Sequence, residues 1–395
     1  MFVFDEHFRS HRRSIRLLAL SFIVKVTMVR IGILGAANIA KKNWVAIHAA
    51  GHTVTAVGSR DIGKAKSLIE ECAGSVPKEQ AAATITPFGS YPEVINCPDV
   101  DAVYVPLPTT QREEWVVMAA KAKKHVLCEK PAAPSLDSLR RMTEACSENG
   151  VVFMDCVMFT HSRRLQEMLA QINEKKALGT VRRIETSFSF CPEDYEEFAK
   201  TDIRVKANME PAGAMGDLGW YNLRIILHVL QGALPDVVSG YCHEKTSDGV
   251  PVELSGTLVF SKLNVTASFF CSFKTAFHSE LCVYGTTAHL KCFDFTLPEV
   301  NSTNTKYSIY NGTIKGVGTR VDTCVGAQEY LVQESSTFQE QNMFATFGAL
   351  ANGSAGGDQV KYYADLALKT QRIMDSVLLS AMNNNSAYIP LVEQQ

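Results

Sequence analysis

From Met28 to about Val151, short apolar runs alternate with stretches of helical period. "VRIGILG" and "HTVTAVG" read as strands, followed by the amphipathic segments "NIAKKNWVAIHAA" and "IGKAKSL". In the first of these helices Ile39, Val45, Ala46 and Ile47 are expected to face inward. "VDAVYVPLPTT" reads as a buried strand stopped by prolines, with "REEWVVMAAKAKK" as the helix after it. "HVLCEKPAAPSLDSLRRMTEAC" then supplies a strand, a turn and a helix with Ser135 as N-cap. This alternation predicts a Rossmann-type doubly wound parallel sheet over residues 29–151. From about Val152 the period drops to two. "RRIETSFSF", "DVVSGYCHE", "VELSGTLVFS", "LNVTASFFCSF" and "ELCVYGTTAHLKCFDF" predict a mostly antiparallel open sheet with helices on one face, in an α+β domain over 152–395. "NGTIKGVGTRVDTC" reads as a turn-rich surface excursion. "YYADLALKTQRIMDSVLLSAM" reads as an amphipathic helix packing back on the fold.

Composition changes this picture little. A chain of 395 residues is long for one core, which agrees with two domains. A formal net charge of -2 gives no electrostatic basis for nucleic acid or an anionic membrane as a partner. The eleven cysteines show neither CxxC pairs nor metal-ligand spacing, so no metal is expected and the thiols read as reduced, in a cytoplasmic protein. Residues 1–28 differ from the rest. "RSHRRSIRLLALSFIVKV" places a basic cluster before an apolar run, Leu17 to Val24, that is too short to span a bilayer. Asp5 and Glu6 do not suit a transit peptide. The segment reads as an extension dispensable for the fold, with an organelle address as the alternative.

The candidate chemistry lies at the strand ends. Gly35, Ala36, Ala37, Asn38 and Ile39 form a glycine turn entering a helix, the place where a dinucleotide's pyrophosphate sits. Ala37 stands where the pattern prefers glycine. At the end of the second strand Ser59, Arg60 and Lys64 offer a hydroxyl and two cations instead of the acid of NAD sites, which favours the 2′-phosphate of NADP, with NAD as second choice. Pro106, Leu107 and Pro108 end the next strand at the same crevice, and Glu129 and Lys130 end the one after. Asp217 and Tyr221, four residues apart on a Gly-punctuated run, share one helical face. They form either a core hydrogen bond or part of a proton-transfer site.

The stretches "GILGAANIA", "GSRDIGKA", "YVPLPTT", "CEKPAA", "DCVMFTHSRR", "DIRVKANMEPAGAMGDLGWYNLR", "VYGTTAHLKCFDF" and "ALKTQRIMDSVLLSA" together resemble the Gfo/Idh/MocA oxidoreductases, from Met28 onward. The nearest likeness is to the dihydrodiol and xylose dehydrogenase branch. The resemblance implies Lys130, Asp217 and Tyr221 as catalytic residues, with Tyr221 moving the proton and the Lys130 ammonium lowering its pKa. It implies a cofactor contact at Arg204, where the preceding Ile203 replaces a tryptophan. Arg112 replaces a histidine and Ala212 a glycine. Met158 and His161 are implied near the substrate, and Trp220 lines the pocket or belongs to the core. A sugar, polyol or diol substrate follows, as does a homodimer through the second sheet. A non-catalytic NADP sensor and a nicotinamide-assisted glycosidase are the alternatives.

Overall fold

The computed structural model describes residues 28–76, 84–298, 304–317, 320–333, 338–383 and 387–391. All but the last residue of the expected N-terminal extension therefore lies outside the described residues. Six strands form the first sheet: β1 (Arg30–Leu34), β2 (Thr53–Gly58), β3 (Thr86–Phe88), β4 (Ala102–Val105), β5 (His125–Cys128) and β6 (Phe153–Asp155). They run parallel in the order β3-β2-β1-β4-β5-β6. This is the Rossmann order, with its switch point between β1 and β4. Every residue of β4 is buried, as helices on both faces of a parallel sheet require. Ser135 caps the helix Leu136–Glu148 by accepting from the Ser138 N–H. The expected boundary at 151 falls too early, because Phe153–Asp155 pairs with β5 and completes this sheet. Ile39 also departs from expectation. The helix Asn38–Ala49 buries Ala40, Asn43, Trp44 and Ile47, an i, i+3, i+4, i+7 face that leaves Ile39 40% exposed.

The second sheet has nine strands: β7 (Val181–Ser189), β8 (Val237–Lys245), β9 (Pro251–Phe260), β10 (Val265–Ser272), β11 (His278–Gly285), β12 (His289–Cys292), β13 (Asn304–Val317), β14 (Arg320–Gln333) and β15 (Ile389–Pro390). Their order is β14-β13-β12-β11-β7-β10-β9-β8-β15, antiparallel except where β7 meets β10. Alternation sets the faces. In β9 Val252, Leu254, Leu258 and Phe260 enter the core, while Glu253, Ser255, Thr257 and Val259 stay half-buried on the other side. The stretch expected as a turn-rich excursion instead forms the outer parts of β13 and β14, paired from Asn311↔Gly326 to Val317↔Arg320. Thr313, Ile314, Val317, Val321 and Thr323 are β-branched, and that preference outweighs the scattered glycines.

A buried ion pair ties the first sheet to the helix Trp220–Val229. Asp155, at the end of β6, accepts from both Nη atoms of Arg224 at 2.6 and 3.1 Å and from Trp220 Nε1 at 3.0 Å. Arg224 Nε also donates to Thr370 of the long helix Gly357–Asn383. The side chains of Arg224 and Asp155 are 1% and 0% exposed. Removing one partner strands the other charge in the interior, a loss of about 3–5 kcal/mol. Arg224→Leu is therefore expected to lower the unfolding free energy by about that amount in a guanidinium titration. A loss under about 1 kcal/mol would show that the pair contributes no more than a surface one.

Candidate active site

Three chain segments from the first domain converge on one wall of a cavity of about 790 Å³. The β1 turn is the first. Gly35 adopts φ +112°, and a Cβ there would stand 2.9 Å from Leu107 Cδ2. Its N–H donates to the Gly58 carbonyl at 2.8 Å, which locks the turn against the end of β2. Ala37 is extended and leads into the helix Asn38–Ala49, which has no side-chain cap and no acid in its first turn. The N–H groups of this helix end and its positive dipole end thus face the crevice without a side chain to satisfy them.

The second and third segments are the ends of β4 and β5, and one arginine holds both. Arg112 is buried, with Nε donating to the Leu107 carbonyl at 2.7 Å and Nη1 to the Glu129 carbonyl at 2.7 Å and to the Pro131 carbonyl. It therefore grips the carbonyls immediately before and after Lys130, whose peptide to Pro131 is cis. The Glu129 carboxylate accepts from Tyr104 Oη at 2.6 Å and from Asn43 Nδ2 at 3.3 Å. Glu210, from the second domain, accepts from the Thr109 N–H at 2.9 Å and from the Thr109 hydroxyl, 3.8 Å from Arg112.

The opposite wall is a π turn, Met215–Gly219, running into the helix Trp220–Val229. Its Gly216 has to be glycine, because a Cβ would come within 3.0 Å of Pro131 Cγ and 2.9 Å of Ala212 Cβ. This close approach brings Asp217 to Lys130. Lys130 Nζ donates to Asp217 Oδ1 at 2.5 Å and to its carbonyl at 2.9 Å, and Arg204 Nε donates to Oδ2 at 3.0 Å. Burial works to raise the Asp217 pKa, but Lys130 and Arg204 outweigh it and leave the carboxyl below its ordinary value. The Asp217 charge in turn raises the pKa of Arg204.

Tyr221 behaves differently from expectation. Its pKa is pushed well above the ordinary phenol value by burial first, and then by the negative charges of Glu129 and Asp217. Lys130 Nζ lies 4.9 Å from the ring centroid, over its face, and is already bound to Asp217. The ammonium therefore does not produce a phenolate. Tyr221 Oη donates to Met158 Sδ at 3.4 Å.

Most of the candidates named above share this cavity. Ala36, Ala37, Asn38 and Ile39 line it from the turn, Pro106, Leu107, Glu129 and Lys130 from the strand ends, and Met158, Arg204, Asp217 and Tyr221 from the far side. Gly35 and Pro108 lie behind this lining, and Ser59, Arg60 and Lys64 stand apart at the end of β2. Trp220 is in the core, fully buried against Asp155. His161 is buried too, stacked on Tyr363, with Nδ1 3.1 Å from Thr346 Oγ1. Burial and then Arg224 push its pKa down to about 3. Neither Trp220 nor His161 lines the cavity. Glu210 and the aromatic residues Phe188, Phe190 and Phe277 do; Glu210 lies within the stretch that begins at Asp202 but carries no expected role, and the three aromatics belong to no motif. Among the described residues no group of three His, Cys, Asp or Glu side chains could hold a metal ion. None of the helices described is long and apolar enough to cross a membrane.

Family models match both halves of the chain. The oxidoreductase-family, NAD-binding Rossmann-fold model of the Gfo/Idh/MocA group covers residues 29–155, and its C-terminal domain model covers 165–291. The chain belongs to the Gfo/Idh/MocA oxidoreductase family. It is similar to a dTDP-3,4-didehydro-2,6-dideoxy-alpha-D-glucose 3-reductase of Actinomadura kijaniata, 31% identical over 66% of this chain and 74% of the relative. It is also similar to D-xylose 1-dehydrogenase (NADP(+)) 2 of Haloferax volcanii, 31% identical over 62% and 69%. A 3-ketoreductase from Actinomadura kijaniata, solved with NADP and TDP-benzene, shares the fold at a TM-score of 0.73. The two are 24% identical, with 90% of this chain and 98% of that one covered.

In this Gfo/Idh/MocA chain Asp217 couples the site to stability. Its folded pKa lies below its unfolded value, so its stabilisation is fully present above about pH 4 and fades as pH falls through the folded pKa. Asp217→Asn is expected to cost on the order of 2 kcal/mol at pH 7. The gap between variant and wild type should narrow below about pH 4 in urea unfolding series at stepped pH. A gap that stays constant across that range would remove the charge from the account.

Proposed function

We propose that this oxidoreductase transfers a hydride between NADP and a sugar, polyol or diol carbon, with Tyr221 carrying the proton and Lys130 and Asp217 assisting. The observation that supports this most is the Lys130–Asp217 pair, held beside a buried phenol across a cavity from an uncapped helix end. The residues present fit a dinucleotide. The backbone of Gly35 to Ile39 would take the pyrophosphate, and Ser59, Arg60 and Lys64 the 2′-phosphate. Pro106, Leu107, Glu129 and Arg204 would border the rest. The bound cofactor supplies a hydride donor or acceptor to the substrate carbon. The NADP named for the xylose dehydrogenase relative supports the same choice of cofactor.

The chain's own residues supply the proton and the orientation. Because Tyr221 is a neutral phenol, it can give its proton to a carbonyl oxygen as that oxygen gains electron density. The Lys130 ammonium stabilises the same developing charge, and Asp217 and Arg204 keep it in place. The resting charge state thus serves reduction. We also infer a homodimer through the helix-free face of the second sheet, where Glu185, Phe270, Glu280, Tyr284 and Lys291 border a shallow depression. Sedimentation at the mass of two chains is expected, and a single-chain mass would remove this inference. A cytosolic setting agrees with the ten unpaired cysteines among the described residues.

The decisive experiment follows NADPH consumption with a panel of keto-sugars and hydroxy ketones. Tyr221→Phe is expected to lower kcat by about 10²–10⁴-fold while the NADPH affinity changes little. Arg60→Ala should erode the preference for NADP over NAD. Tight NADPH binding with no turnover across the panel would instead favour a sensor.

A further inference from the structure

The chain that leads into the π turn meets the first domain before Asp217 does. The Thr110 hydroxyl donates to the Asn208 carbonyl at 2.8 Å, and the Thr110 N–H to the Met209 carbonyl at 3.3 Å. Glu210 follows with both carboxylate oxygens on Thr109, one accepting its N–H at 2.9 Å and the other its hydroxyl. Consecutive residues of the second domain are thus seated on the short turn Thr109–Gln111 of the first. Glu210 is buried, and a carboxylate so enclosed is costly unless donors and an opposite charge answer it. Thr109 supplies the donors, and Arg112 Nη2, 3.8 Å away, supplies the charge.

Thr109 and Arg112 are also the neighbours of the Lys130 main chain. The Thr109 hydroxyl lies 3.4 Å from the Pro131 carbonyl, and Arg112 Nη1 donates to the carbonyls of Glu129 and Pro131. Glu210 therefore reaches the backbone of the lysine through two shared partners, while Asp217 holds the ammonium. A single ion pair leaves a long side chain free to swing about the contact. Fixing the main chain and the ammonium together removes that freedom. The nitrogens of Arg112 and the oxygens of Glu210 are directed at these protein groups, so the pair acts on the chemistry through Lys130.

From this we infer that Glu210 is a positioning residue, which through Thr109 and Arg112 sets where Lys130 stands relative to Tyr221. The inference rests on the oxidoreductase reading for its consequence, which is a loss of turnover. The placement of the lysine belongs to the fold itself and is measurable without a substrate.

Glu210→Ala, Glu210→Gln and Arg112→Lys in the full chain test it. Competitive labelling with trace acetic anhydride, resolved by peptide mass spectrometry, reads the reactivity of Lys130 against that of the exposed Lys66. Lys130 is expected to react slowly in the wild type, because its ammonium is tied to Asp217, and faster in Glu210→Ala. On the panel of keto-sugars and hydroxy ketones, Glu210→Ala should lower kcat by about 10–10²-fold, with KM and NADPH affinity changed by no more than about twofold. Glu210→Gln keeps an acceptor for the Thr109 N–H and should recover most of both properties. Arg112→Lys cannot reach three carbonyls at once and should behave as Glu210→Ala does. NADPH fluorescence titration confirms that each variant is folded. Lys130 labelling unchanged in both Glu210→Ala and Arg112→Lys would overturn the inference. A rise in KM alone would overturn it too, by making Glu210 a substrate contact, as would a joint loss of NADPH binding, by making it structural. Faster labelling in a chain that turns over nothing on the panel would uphold the positioning and sink the hydride-transfer reading.

Discussion

A carboxylate held between two cations organises this molecule. Asp217 comes from the second domain, Lys130 from the first, and Arg204 from the connection that precedes the π turn. Burying the Asp217 or Lys130 charge alone would be costly, so these two, with the half-exposed Arg204 beside them, stabilise the folded state only when the domains meet in one geometry. The separation of the two domains across the cleft is therefore set by charge as much as by apolar packing. Gly216 is what allows this meeting, since any side chain there would push the turn away from Pro131.

Around that centre the backbone is held at its carbonyls. Arg112 binds the oxygens on either side of Lys130, and Glu210 reaches across from the other domain to the strand end that carries Thr109. The lysine is thereby fixed through its own main chain and not only through its ammonium. Arg112 and Glu210 need not touch a ligand to matter, because they decide where the first domain presents Lys130. The Asp155–Arg224 pair does the same at a greater distance from the cleft, tying β6 to the helix that bears Tyr221.

What could be read in the sequence follows from range. The glycine turn at Gly35, the Ser135 cap and the alternation of β9 are local, and local rules describe them. The Lys130, Asp217 and Tyr221 group was legible only through motif likeness, because 87 residues separate the lysine from the acid it binds. Arg112 stood out only as a replacement for a histidine and Glu210 only as part of a motif stretch, and the role of neither was legible, since their partners are main-chain atoms or residues about a hundred positions away. Trp220 and Met158 look equally apolar in sequence, yet one is sealed against Asp155 and the other faces the cavity. The phenol's raised pKa was not legible either. It depends on burial and on the charges of Glu129 and Asp217, which only the fold brings near the ring.

The outermost strand of the large sheet sets a different kind of constraint. β14 pairs along its whole length with β13 and, among the described residues, with nothing on its other side. Fourteen residues of backbone thus present a row of main-chain donors and acceptors at the margin, the template on which a foreign extended chain could add. Glu329 stands exposed on this margin. A charge so placed opposes an incoming strand by keeping its hydration, so this position bears on solubility rather than reactivity. Selection on the sheet's edge is then selection against aggregation, independent of anything that happens in the cleft.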